Sequence, residues 1–133
     1  MIRNKERKQQ INDFRHLRFG SITPTDLDGV IEYRDKAYIF FELKYLDADL
    51  PDGQRLCLER LVKDVIKSGK KAIALVLGHE IHDTSQSIPV AECKVRELYS
   101  NPKEGWVKPN LDCDAQYLIK AFIEYVDKRD TFS

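Results

Sequence analysis

Between Val30 and Tyr45 the apolar and aromatic positions form two short runs separated by Arg34-Asp35-Lys36, which predicts a pair of strands joined by a turn. In the second run Tyr38 and Phe40 share one face, while Ile39, Phe41 and Leu43 line the other. A strand apolar on both faces belongs in the middle of a sheet. Farther on, Leu58, Leu61, Val62, Val65 and Ile66 follow helical spacing, so a helix is expected over 54–67, stopped by Ser68-Gly69-Lys70. One turn before Leu58 the same inward stripe begins on the polar Gln54. Ala72–Leu77 is a continuous apolar run and the clearest buried strand of the chain. Strand, helix and strand in this order imply a crossover between parallel strands. Their C-terminal ends would then place Lys44, the start of the Gln54 helix and Gly78-His79-Glu80 at one edge, where open α/β sheets bind ligands.

The flanking segments are read in the same way. A first helix is expected over Asn4–Leu17, with Ile11, Phe14 and Leu17 at helical spacing, and a short strand over Phe19–Ile22. After the polar turn Asp83–Ser87 a strand is expected from Ile88 to about Leu98. A tight connection at Asn101–Gly105 should lead from it to Trp106-Val107-Lys108. Trp106 is read as a packing residue of the core or under the last helix. That helix should begin near Asp112 as N-cap and bury Leu118, Ile119, Phe122, Ile123 and Val126, with a frayed tail over Lys128–Ser133.

Composition adds bounds. A chain of 133 residues with 42% hydrophobic content, six Tyr, six Phe and one Trp is read as one domain, 1–133, able to bury a core without staples. The 22 basic and 22 acidic residues balance, so any nucleic-acid surface must be local. Three cysteines, Cys57, Cys93 and Cys113, form no CxxC pair and are read as reduced core fillers in a cytoplasmic setting. No apolar run approaches the roughly 20 residues needed to cross a bilayer, and no organic cofactor is expected. The first helix carries Arg3, Lys5, Arg7, Lys8, Arg15 and Arg18, either a solvated face or a phosphate-facing one.

Charge inside the strand pair is the chemical signal. Asp28 stands where the first strand begins, and Glu42 and Lys44 interrupt the end of the second, on the face of Tyr38 and Phe40. A carboxylate and an ammonium there are costly unless they pair, hold metal or meet a polar substrate. Asp28 with Glu42-Leu43-Lys44, and the phrase Pro24-Thr25-Asp26-Leu27-Asp28-Gly29, resembles the PD-(D/E)xK nuclease superfamily, especially its small phage- or prophage-encoded members. That superfamily includes restriction endonucleases and Holliday-junction resolvases. The resemblance covers about Ile11–Leu77 and implies a restriction-endonuclease-like αβββαβ core. The expected class is therefore α/β, a mixed central sheet flanked by helices, with an extra C-terminal strand pair and helix. Pro24 is separated from both aspartates, so Asp26 and Asp28 both stand as metal-ligand candidates, with Asp28 preferred beside Gly29.

The resemblance implies Mg²⁺, with Mn²⁺ as substitute, held by Asp28, Glu42 and the Leu43 carbonyl. It also implies Lys44 to orient the attacking water or stabilise phosphate charge, and Gln54 as a further catalytic residue. Arg55 and His79, with Arg7 and Lys8 on the first helix, are the candidate substrate contacts. The expected reaction is hydrolysis of DNA phosphodiester bonds, selective for branched, nicked or single-stranded forms, by a protein that could dimerise as many relatives do. The alternatives are a noncatalytic nucleic-acid- or protein-binding module with the same fold, and a structural protein without a nucleic-acid partner. His79 and His82 are read as loop histidines rather than zinc ligands.

Overall fold

The computed structural model describes residues 13–132. Five strands, β1 (Gly29–Tyr33), β2 (Ala37–Tyr45), β3 (Lys71–His79), β4 (Lys94–Tyr99) and β5 (Trp106–Val107), make one mixed sheet in that spatial order. Helix α1 (Asp52–Lys67) covers one face and α2 (Ala115–Phe132) the other. The α1 face buries Phe40, Leu58, Val62, Ala74 and Val76 together, and the α2 face buries Ile39, Leu75, Leu77 and Val95. Alternation along β2 and β3 is what divides these side chains between two cores. β2 and β3 run parallel, as the crossover requires, while β1 pairs antiparallel with β2.

The hairpin turn between β1 and β2 puts two ordinary residues in the left-handed region, Arg34 at φ 47° and Asp35 at φ 62°. The Lys36 N–H closes the turn on the Tyr33 carbonyl at 2.8 Å. With Tyr33 paired to Ala37, the connection is the three residues Arg34–Lys36, and the two positive φ values reverse the chain within it. Asp35 is tied down on both sides: its N–H donates to Glu32 Oε2 at 2.6 Å, and its carboxylate pairs with Lys70. At the other end of α1, Gly69 at φ 95° ends the helix, its N–H on the Ile66 carbonyl at 3.0 Å.

Some expected elements are differently built. Residues 4–12 of the expected first helix, with Arg7 and Lys8, lie outside the described residues, and its remainder is a single 3-10 turn at Arg15–Leu17. Phe19–Ile22 is not a sheet strand. Those two residues bond to each other, N–H to carbonyl at 2.8 and 3.0 Å, around Gly20 at φ 65°. The sheet therefore begins at β1, and the general α/β class is what the described residues hold.

The strand expected from Ile88 starts only at Lys94, because Pro89 leads into a 3-10 turn over Val90–Glu92. The last helix starts at Ala115, where the Asp114 carboxylate accepts the Tyr117 N–H at 2.9 Å, while Asp112 pairs with Lys94 at 3.1 Å. It continues to Phe132 rather than fraying at Lys128. Trp106 packs on the α1 face, not under α2, and its indole N–H donates to Glu59 Oε2 at 2.8 Å. Ile66 is 37% exposed, so the inward stripe of α1 ends at Val65.

Gly29 sets the geometry beside Asp28. It pairs with Phe41, and a β-carbon there would occupy the space of the Phe41 ring. Gly29→Val is expected to lower stability by about 1–3 kcal/mol through this overlap. The check is the urea midpoint: a fall with unchanged slope supports it, and an unmoved midpoint means that the ring is free to step aside.

Candidate active site

Strand pairing brings the two carboxylates together. One step beyond the Gly29–Phe41 pair, Asp28 faces Glu42, and facing side chains of an antiparallel pair share one face roughly 5 Å apart. Two hydrogen bonds lock the corner. Asp28 Oδ2 accepts the Leu43 N–H at 2.7 Å, and Glu42 Oε1 accepts the Asp28 N–H at 3.3 Å. The two carboxyl groups differ in setting: Glu42 is 2% exposed, whereas Asp28 stands at the open rim. Asp26 lies exposed, outside the strand, and makes no hydrogen bond among the described residues.

Glu42 is the one buried acidic or basic residue among those described, and it has no ion-pair partner there. Burial, followed by the hydrogen bond and the charge of Asp28, pushes its carboxyl up to about 7. The Asp28 N–H bond and the Lys44 charge pull the other way and only partly offset this. The folded chain thus favours the protonated Glu42, and a nearby positive charge would favour its ionised form. Two carboxylates and the adjacent Leu43 carbonyl form an all-oxygen donor set of the kind a small hard divalent ion takes, with water filling the rest. No cluster of three His, Cys, Asp or Glu side chains suited to a metal exists among the described residues.

Lys44, two residues beyond Glu42 on the same face, is half-buried and makes no ion pair among the described residues. It pairs across the sheet with Gly78, and Tyr45 pairs with His79, so the edge anticipated from the crossover is present. Gln54 begins the inward stripe of α1, one turn from Leu58, which packs with Phe40 and Val76. Its side-chain Oε1 is buried without a hydrogen-bond partner among the described residues. A buried amide oxygen left unsatisfied costs about 1–3 kcal/mol, so it marks a place prepared for a donor.

Arg55 has a different setting from a free phosphate ligand. Its guanidinium donates to both Glu97 oxygens at 3.2 and 3.1 Å and lies over the Trp106 ring at 4.8 Å. Glu97 pairs with Val76, which pairs with Glu42, so the three form a row across β2, β3 and β4 on the α1 face. That row holds Arg55 near Glu97, two strand spacings or roughly 10 Å from Glu42. His79 is half-buried at the end of β3, with Nδ1 accepting the Ile81 N–H at 3.2 Å. His82 is engaged by the Tyr45 hydroxyl.

No family model, curated protein or solved structure matches this chain. The site is therefore characterised by its own geometry. That geometry adds two residues that the sequence pattern passed over, Arg96 and Glu97. Arg96 lies directly over Gly78, where a β-carbon would come within 2.7 Å of its Cδ, and its Nη1 donates to the Ala48 carbonyl at 2.7 Å. A register shift between Val76 and Leu77 turns β4 at this point, and no residue pattern announces such a bulge.

Proposed function

We propose that this chain is a metal-dependent nuclease that hydrolyses DNA phosphodiester bonds, using an arrangement of the PD-(D/E)xK kind. The observation that carries the reading is the buried Glu42 carboxylate set against Asp28, with Lys44, which makes no ion pair among the described residues, two residues farther along the same face. Asp28, Glu42 and the Leu43 carbonyl would hold Mg²⁺, with Mn²⁺ as substitute. When bound, the ion supplies Lewis acidity toward the phosphate and lowers the pKa of water. Lys44 places its ammonium beside the scissile phosphate, where it orients the attacking water and balances the charge that builds on the phosphate oxygens. Gln54 Oε1 takes a hydrogen bond from that water and so fixes its direction. Arg55 and Glu97 brace the first turn of α1, which carries Gln54, against the sheet.

Selection by DNA shape or by a partner belongs to the same reading. The balanced total charge fits weak, salt-sensitive nonspecific binding. A homodimer and a bacterial cytoplasmic setting, of phage or prophage origin, belong to the same proposal. Metal linkage tests the site apart from its chemistry. Mg²⁺ or Mn²⁺ at one hundred times the dissociation constant is expected to stabilise the wild type by about 2.7 kcal/mol, seen as a rise in Tm. Asp28→Asn should lose most of that rise. A wild type that shows none would instead be a noncatalytic binding module.

A further inference from the structure

A cavity of about 660 Å³ opens at the C-terminal end of β3, lined among others by Leu46, Gly78, His79, Glu80, Glu92 and Arg96. Val76 pairs with Glu42 and Gly78 lies two residues farther along the same strand, so the Gly78 Cα stands roughly 8 Å from that of Glu42. The cavity's volume falls in the range that encloses a small organic ligand. We propose that it receives one unpaired base of the strand being cut, with the adjoining phosphate held by Arg96. This rests on the nuclease reading and specifies its substrate.

Three features carry it. First, the wall carries the His79 ring. Tyr45 stands 5.5 Å from it, and the Tyr45 hydroxyl is hydrogen-bonded to His82, so His79 is packed in place from outside the cavity. Because His79 Nδ1 accepts a backbone N–H, the neutral ring carries its proton on Nε2, a donor for a base edge. Second, Arg96 is built into place. Gly78 makes room for its stem, the β4 bulge aims it, and the Ala48 carbonyl takes one N–H, leaving the other guanidinium donors without a partner among the described residues. Third, the carboxylates of Asp47, Glu80 and Glu92 line the cavity beside Lys94 and Arg96, and carboxylates accept from the exocyclic amine of cytosine, adenine or guanine.

A base seated there has left its stack and its pair, so the substrates are single-stranded, flapped or gapped DNA rather than intact duplex. The test has a binding arm and a cleavage arm. In chelator, a single-stranded oligonucleotide carrying 2-aminopurine is titrated with protein. A fluorescence change with the wild type, and binding roughly five- to one-hundred-fold weaker with His79→Ala or Arg96→Ala, is expected. In Mg²⁺, an abasic site is moved one nucleotide at a time along the strand. Cleavage should fall at one position flanking the cut and nowhere else. Cleavage indifferent to every abasic position and to His79→Ala overturns the base cavity and leaves the nuclease reading standing. Base-dependent binding with no cleavage under any metal keeps the cavity and rejects the nuclease.

Discussion

Glu42→Gln is expected to raise the thermal midpoint of the metal-free protein at pH 8 and to leave it nearly unchanged at pH 4. The Glu42 carboxyl is pushed up to about 7 in the folded chain from an ordinary value of 4.5. A raised value means that the folded state favours the proton. Its stabilisation is complete below about pH 4.5 and is lost as the pH rises through about 7. Above that, folding keeps an ionised carboxylate buried against Asp28 at a cost of roughly 3 kcal/mol. Glutamine keeps the shape and donates an N–H toward Asp28, as the protonated acid does, but has no charge to bury. For a chain of this length the gain at pH 8 corresponds to about 10 °C. The same substitution should remove the rise in Tm that Mg²⁺ gives the wild type. A wild type and variant with parallel pH profiles would mean that Glu42 is ionised without strain, and the corner would lose its reason to hold a cation.

Lys44→Ala is expected to slow metal-dependent cleavage by about 10²–10³-fold, the scale on which one well-placed charge-stabilising donor acts. Metal binding should survive, because Asp28, Glu42 and the Leu43 carbonyl are untouched. The paired readout is the single-turnover cleavage rate beside the Mg²⁺-induced shift in Tm. Loss of both together would make Lys44 a structural prop of the corner rather than a group that meets the phosphate.

Much of this corner was legible because it depends on period and spacing. Alternation placed Glu42 and Lys44 on the Phe40 face, and the α1 stripe counted back to Gln54, whose oxygen is indeed buried. The crossover put Lys44 and His79 at one edge. The preference for Asp28 over Asp26 came from the strand entry at Gly29, and the structure places Asp28 opposite Glu42 and Asp26 outside the strand. What escaped depends on contacts between distant segments. Helical spacing over Ile11, Phe14 and Leu17 did not foresee that Asp13 would take the Arg15 N–H and side chain into a single turn. Asp112 and Asp114 are equal as caps by residue type, and Lys94, distant in sequence, pairs with the first. Arg55 read as a free cation until Glu97 and Trp106 arrived from strands 40 to 50 residues away. The bulge that aims Arg96 follows from a register that only the assembled sheet defines.

The central claim is that Asp28 and Glu42 hold a divalent ion that serves phosphodiester hydrolysis. Its most direct test incubates purified wild type and Glu42→Ala with duplex, single-stranded, flapped and four-way-junction DNA, each with and without Mg²⁺. The expected result is cleavage by the wild type alone, only with metal, and confined to forms that present an unpaired strand. Equal cleavage by Glu42→Ala, or none by the wild type on any form with Mg²⁺ or Mn²⁺, would contradict it.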